Sequence, residues 1–329
     1  MNCLITGASG FLGQHLVRHL SAKGETVRAL YYKHEPGTEL KSLPGVVWQQ
    51  ADLLDIYDVE NVLEGIDEVY HCAGIVSFDP KHRSAMRHFN IESTVNLVNL
   101  SLEKGIRKLV HVSSVAALGR KEQAVAEITE EEEWEESHTN SAYGESKYHA
   151  EMEVWRGMAE GLNAVIVNPG IILGETSGYD SVAGLMKMAY KEFPFYTSGV
   201  TAWVDVKDVV NIMYLLMKSD IHNERFIVNE GNHSFNEILT LMAQAVNKKP
   251  PHIKASPVLT TTIAQLSQWK TALFGGNDIL TNETARTSTR VYHYNNSKLL
   301  NTLDGFAYTP IETTINRVGK AFLKDIVKN

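Results

Sequence analysis

Through the first two thirds of the chain, short runs of β-branched and aromatic residues alternate with stretches whose apolar positions recur at helical spacing. The runs are NCLIT (2–6), TVRALYY (26–32), GVVWQQ (45–50), EVYHCAG (68–74), KLVHVSS (108–114) and NAVIVNP (163–169), and a later one, RFIVN (225–229), adds a last strand. Between them lie helical periods such as FLGQHLVRHLSAKG and NIESTVNLVNLSLEKG, the second closed by the glycine expected just past a helix. Strands alternating with helices predict a parallel sheet covered on both faces. Beyond residue 170 the pattern loosens, and residues 232–329 are rich in helix formers. The predicted division is one domain over 1–169 and 203–231 and a smaller lobe over 170–202 and 232–329, interleaved with the sheet rather than appended to it.

Composition narrows the class. At 329 residues, 43% hydrophobic and 21% charged, the chain has the balance of an ordinary soluble globular protein. A formal net charge of −8 offers none of the basic surface that nucleic-acid binding requires. Cys3 and Cys72 sit in strand-like runs without metal-ligand spacing, and the thirteen histidines form no HExxH-type pair, so no metal is predicted. The opening MNCLITGASG lacks a basic region followed by a long apolar segment, and no run reaches the roughly 18 apolar residues of a spanning helix; the expectation is a cytoplasmic protein with reduced thiols. The acidic run EITEEEEWEES (127–137) reads as a solvated surface loop. The stretch 261–276 is amphipathic at helical spacing but poor in basic charge, which favours packing on its own lobe over a membrane surface.

Chemistry enters with LITGASGFLG. Gly7, Gly10 and Gly13 fall between the first strand and the first helix, where a tight turn, close approach of a phosphate and helix-to-strand packing each exclude a side chain. Together with Ser9, Phe11 and Leu12 they predict a pyrophosphate cradle at a helix N-terminus, although the spacing is GxxGxxG rather than GxGxxG. A dinucleotide would then meet the end of the second strand. Tyr32, Lys33 and His34 stand there where a carboxylate would hold free ribose hydroxyls, which favours NADP(H) over NAD(H). After the third strand, Asp52 and Leu53 are placed to meet the adenine edge.

In SAYGESKYHAE, Tyr143 and Lys147 are four apart on one helical face, so they read either as a tuned proton donor or as a half-buried Tyr beside a solvated Lys. Taken with the glycine turn and the Ser-Ser pair ending KLVHVSS, this stretch resembles the extended short-chain dehydrogenase/reductase family, over nearly the whole chain. YGESKYHAEMEVW, through Ala150, Glu151 and Trp155, and VIVNPGIILG are most similar to its dihydroflavonol reductase and cinnamoyl-CoA reductase branch. The resemblance implies a Rossmann-type doubly wound parallel sheet with a smaller, mostly helical substrate lobe. It assigns Ser114 (with Ser113 as fallback), Tyr143 and Lys147 to catalysis, Lys147 lowering the phenol's pKa and holding the nicotinamide ribose. It further places Ala73 and Gly74 along the adenosine and ribose, Asn90 beneath the cofactor, and Pro169, Ile171 and Ile172 beside the nicotinamide.

The activity so implied is reduction of an aldehyde or ketone, with Phe78, Tyr179, Phe193, Phe195, Tyr196 and Trp203 suggesting an apolar or aromatic pocket. The alternatives are a nucleotide-sugar epimerase with tightly held NAD, a 3β-hydroxysteroid-type dehydrogenase and a non-catalytic NADP-binding protein. Dehydratases of the family place an Asp-Glu pair where this chain has Val115 and Ala116, which speaks against elimination. The family also pairs its Tyr-bearing helix with the helix near 88–104 to form homodimers, while monomeric relatives exist.

Overall fold

Seven of the strand-forming runs assemble into one parallel sheet, whose central strands are buried on both faces. The structure, a computed structural model, describes residues 1–119, 127–137, 140–175, 181–256 and 288–328. The strands are β1 (Asn2–Thr6), β2 (Thr26–Tyr31), β3 (Val46–Gln50), β4 (Glu68–His71), β5 (Lys108–Val112), β6 (Ala164–Pro169), β7 (Ile171–Leu173), β8 (Phe195–Tyr196), β9 (Val200–Asp205), β10 (Glu224–Val228), β11 (Gly231–Ser234) and β12 (Ile253–Lys254). The main sheet has the order β10-β6-β5-β4-β1-β2-β3. This is the doubly wound arrangement expected, and its strand order reverses between β1 and β4, where such sheets open a crevice at their carboxyl ends.

The helices are α1 (Phe11–Ala22), α2 (Thr38–Lys41), α3 (Ile56–Leu63), α4 (Arg83–Glu103), α5 (Ala142–Ala159), α6 (Ser181–Tyr190), α7 (Val206–Lys218), α8 (Phe235–Ala245), α9 (Ser297–Thr302) and α10 (Ile311–Lys328). Alternation along the strands divides the core. Cys3 and Ile5 face α1 and α7 through Leu16, Leu20, Val209 and Met213, whereas Leu4 faces α3, α4 and α5 through Val62, Leu97 and Val154. Each fully buried side chain of this kind contributes about 1.5–3 kcal/mol. A third core, around Trp203, Met186, Ile238, Met242 and Ile315, joins β9 to α6, α8 and α10. Small sheets, β11-β9-β7 and β12-β8, run beside these helices. Asp205, at the end of β9, ties α10 to the start of α7: it caps α7 through Lys207 N (2.8 Å) and takes both Arg317 Nη atoms at 2.8 Å.

Two expectations need correction. The acidic run is no free solvated loop. Glu130 is buried, its Oε1 accepts from Ile227 N of the edge strand β10 (2.8 Å), and Arg225 donates to the carbonyls of Glu130 and Glu132 (both 2.8 Å). The segment thereby covers an edge that would otherwise expose unpaired backbone groups. The strand runs predicted as 68–74 and 108–114 also end early, at His71 and Val112. Residues 72–74 and 113–114 leave the sheet at its carboxyl edge and enter the crevice. The amphipathic stretch 261–276 and Tyr179 lie outside the described residues. No helix among those described is long and apolar enough to cross a membrane.

Candidate active site

The glycine turn between β1 and α1 is tight enough to exclude any side chain. Gly7 has φ +64°, and a Cβ there would lie 2.7 Å from the Cα and N of Ala73, just past β4. A Cβ on Gly13 would come within 2.2 Å of the Gly7 carbonyl, and one on Gly10 within 3.2 Å. Helix α1 begins at Gly10 with no side-chain cap and no acid in its first turn. Its leading N–H groups and the positive end of its dipole are therefore available to an anion, with Ser9, Phe11 and Leu12 beside them. Because this N-terminus lies at the crevice between β1 and β4, the turn fits the pyrophosphate of a dinucleotide.

Beyond β2, Tyr32, Lys33 and His34 are exposed, with the Lys33 ammonium 5.0 Å from the Tyr32 ring centroid. Glu35, the first acid after the strand, is engaged by Lys41 and by the Tyr31 hydroxyl (3.3 Å). Asp52 turns its carboxylate into its own loop, accepting from Leu54 N (3.0 Å), and the Leu53 side chain is packed in the core. Ala73 N donates to Thr6 Oγ1 at 3.2 Å. Asn90 is buried and holds the segment following Gly74 from both sides, accepting from Ile75 N (2.7 Å) and donating to Ile75 O (3.1 Å). That makes it a brace for the segment lining the crevice.

Helix α5 starts where Ser141 accepts from Gly144 N (2.9 Å), and it ends before Gly161. A Cβ on Gly144 would be 2.7 Å from the Ala116 carbonyl, so the helix rests directly on the turn that follows β5. This contact brings Tyr143 beside Ser114, whose hydroxyl exerts a lowering effect on the phenol's pKa and accepts from Ala116 N (3.2 Å). Ser113, the fallback, is committed elsewhere: its Oγ donates to Glu151 Oε2 at 2.6 Å. One turn on, the Lys147 ammonium donates to the Val112 carbonyl (2.8 Å) and lies within 3.2 Å of where a Gly74 Cβ would be.

The titration of the pair runs opposite to the spacing argument. Burial pushes the Tyr143 phenol up to about 12, against the smaller lowering effect of Ser114, and burial brings Lys147 down to about 8. In the chain alone, desolvation outweighs any help the ammonium gives the phenolate.

Of the pocket aromatics, Phe78 is on site, its ring meeting Tyr143 edge-on with centroids 6.0 Å apart. Pro169 closes β6, and Ile171 and Ile172 open β7 at the same sheet edge. Trp203 is a correction. It is fully buried, packs on Phe235 at 5.4 Å and donates to the His233 carbonyl (3.0 Å), so it has no surface to offer a substrate. Phe195 lies in the β12-β8 pair against Phe193 (5.6 Å). Sequence reasoning took Glu151 only as part of the family motif and gave it no role; it is a buried carboxylate four residues after Lys147 and four before Trp155.

The chain is similar to known proteins over most of its length. The model of the NAD dependent epimerase/dehydratase family matches residues 3–229. "Sterol demethylase protein B" of Methylococcus capsulatus is 30% identical over 272 residues, covering 81% of each chain. Cinnamoyl-CoA reductase 1 of Petunia hybrida is 28% identical over 269 residues, 77% of this chain and 80% of its own. Among solved structures, the crystal structure of gox2253 superposes with a TM-score of 0.81 at 26% identity, covering 98% of both chains.

Proposed function

Since the chain belongs to the NAD dependent epimerase/dehydratase family, we propose that it is an NADP(H)-dependent carbonyl reductase working through Ser114, Tyr143 and Lys147. At the level of the family it is an NAD(P)-dependent oxidoreductase. The observation that carries the finer reading is the seating of α5 on the turn after β5, which sets Tyr143 beside Ser114, with Lys147 one turn away at the carboxyl edge of the sheet. Bound reduced nicotinamide supplies the hydride. The protein must then stabilise and protonate the alkoxide that forms. Ser114 donates a hydrogen bond to the carbonyl oxygen, and Tyr143, which keeps its proton at neutral pH, delivers it. Lys147 supplies positive charge below its pKa.

That charge sets a pH limit. With Lys147 titrating at about 8, carbonyl reduction is expected to decline as pH rises through that value, because the ammonium is lost. A rate profile that stays flat well into the alkaline range would remove Lys147 from this role.

For the cofactor, Lys33 and His34 are unobstructed while Glu35 is held by Lys41, which supports a 2′-phosphate. Lys33→Ala is expected to weaken NADPH by about tenfold, the worth of one charge-assisted contact, and NADH hardly at all. Equal losses in parallel fluorescence titrations would put the phosphate elsewhere.

Phe78 against Tyr143, and a relative named for sterol chemistry, support an apolar carbonyl substrate. Val115 and Ala116 are buried where elimination would need an acid and a base, so dehydration is set aside. The test is oxidation of NADPH and NADH by a panel of aryl aldehydes, ketones, steroid ketones and flavanonols, with Tyr143→Phe as the blank. Turnover that disappears in the blank supports the proposal. Silence across the panel from protein that purifies with non-exchanging NAD favours an epimerase.

A further inference from the structure

Glu151 and Trp155 belong to the sequence stretch that carries the family resemblance, yet neither has a part in the chemistry described so far. Glu151 is 2% exposed, and its two oxygens gather four donors from four elements. Oε2 accepts from Ser113 Oγ after β5 (2.6 Å) and Asn168 Nδ2 of β6 (2.8 Å). Oε1 accepts from Arg225 Nη1 of β10 (3.0 Å) and Trp155 Nε1 of its own helix (3.3 Å). Asn168 Nδ2 also donates to the carbonyl of Ser114 at 3.1 Å. The Ser114 backbone is thus tied to Glu151 twice, through Ser113 and through Asn168.

The same carboxylate acts on Lys147, one helical turn away. The other groups around the ammonium are neutral. The Val112 carbonyl accepts its hydrogen bond, the half-buried Cys72 thiol is pushed up to about 12, and His71 and His111 are held far below their usual range by burial. Among the described residues that influence Lys147, Glu151 is therefore the one carboxylate.

We propose that Glu151 is the positioning residue of this site, fixing Ser114 against Tyr143 through Ser113 and Asn168 and supplying the negative charge that faces Lys147. The inference rests on the Ser114, Tyr143 and Lys147 reading above. Glu151→Gln preserves shape and some acceptor capacity but removes the charge, while Ser113→Ala cuts one tie and leaves the charge in place.

The experiment follows NADPH oxidation by trans-cinnamaldehyde across pH in the full chain. Glu151→Gln is expected to lower kcat by about 30-fold, the scale of a small misplacement, with the KM for NADPH changed by less than about threefold. Its alkaline limb should move down by about one unit, as loss of a neighbouring opposite charge requires. Ser113→Ala should lose about fivefold in kcat with the limb unmoved. Should Glu151→Gln be insoluble for want of an ionic partner to Arg225, the double variant Glu151→Gln/Arg225→Gln is read in its place.

An unchanged limb and kcat in soluble Glu151→Gln overturn the proposal. Tyr143→Phe, run alongside, separates the two readings: if it turns over like the parent, the catalytic assignment has failed by itself. In that case, or if cinnamaldehyde is not reduced, Glu151 is judged by lysine-selective NMR with Lys147→Met for assignment. A lower Lys147 midpoint in Glu151→Gln upholds its charge role, and an unmoved midpoint rejects it.

Discussion

Tyr143→Phe is expected to reduce kcat/KM for carbonyl reduction by about a thousandfold or more, within the range by which a positioned general acid accelerates proton transfer. That corresponds to about 4 kcal/mol of lost transition-state stabilisation. Cofactor affinity should hold to within about twofold, since the change removes one hydroxyl while Ser114 keeps its hydrogen bond to Ala116 N. The ring remains, so the edge-on contact with Phe78 and the close seating of α5 on the turn after β5 are both retained. Fluorescence titration with NADPH and single-turnover kinetics measure the two quantities separately. Loss of binding along with rate would mean that Tyr143 holds the cofactor and donates no proton. Full activity would leave Ser114 or a solvent molecule as the donor.

The sheet was legible because its central strands are buried on both faces. Runs such as KLVHV and AVIVNP have no polar alternation to confuse with a helix, and all seven of the main sheet fall where the pattern puts them. Their carboxyl ends were not legible. Cys72 to Gly74 and Ser113 to Ser114 have the residue types of a strand, but the crevice bends them out of the ladder, and the crevice is a property of strand order rather than of local sequence. Long-range pairing hid two further features. Glu130 looks like one acid in a solvated run until Ile227, 97 residues away, supplies the backbone donor that buries it. Trp203 looks like a pocket aromatic because VTAWVD sits in an irregular region, yet its pairing with Gly231 turns the indole into the third core.

The active-site motif shows the same limit on the side of energetics. Spacing places Tyr143 and Lys147 on one face, where a fixed ammonium would lower a phenol's pKa, and the family resemblance assigns the pair that role. Spacing cannot report burial, which here raises one group and lowers the other. The sequence likewise contains Glu151, but the worth of that carboxylate depends on Asn168 and Arg225, brought to it by β6 and β10. Residue identity conveyed which groups are present, and the sheet order decides which of them share a dielectric.

Gly7→Ala is expected to abolish measurable dinucleotide binding, a loss of at least about a hundredfold, and to destabilise the fold by about 2–4 kcal/mol. Two effects add. A non-glycine residue at φ +64° pays about 1 kcal/mol of local strain, and the new Cβ lies 2.7 Å from the backbone of Ala73, where no rotamer change can relieve it. Relief requires β1 and β4 to part at their carboxyl ends, where Thr6 pairs with His71, and that opens the crevice which aligns the N-terminus of α1. Gly24 provides the internal comparison: its φ is +76°, but a Cβ there meets nothing within 4 Å. Gly24→Ala should therefore cost only the strain, about 1 kcal/mol, and leave NADPH affinity unchanged. Urea denaturation and cofactor titration on both variants separate backbone strain from collision. If Gly7→Ala binds NADPH like the parent chain, the turn is a structural corner, and the pyrophosphate must be held elsewhere on the carboxyl edge of the sheet.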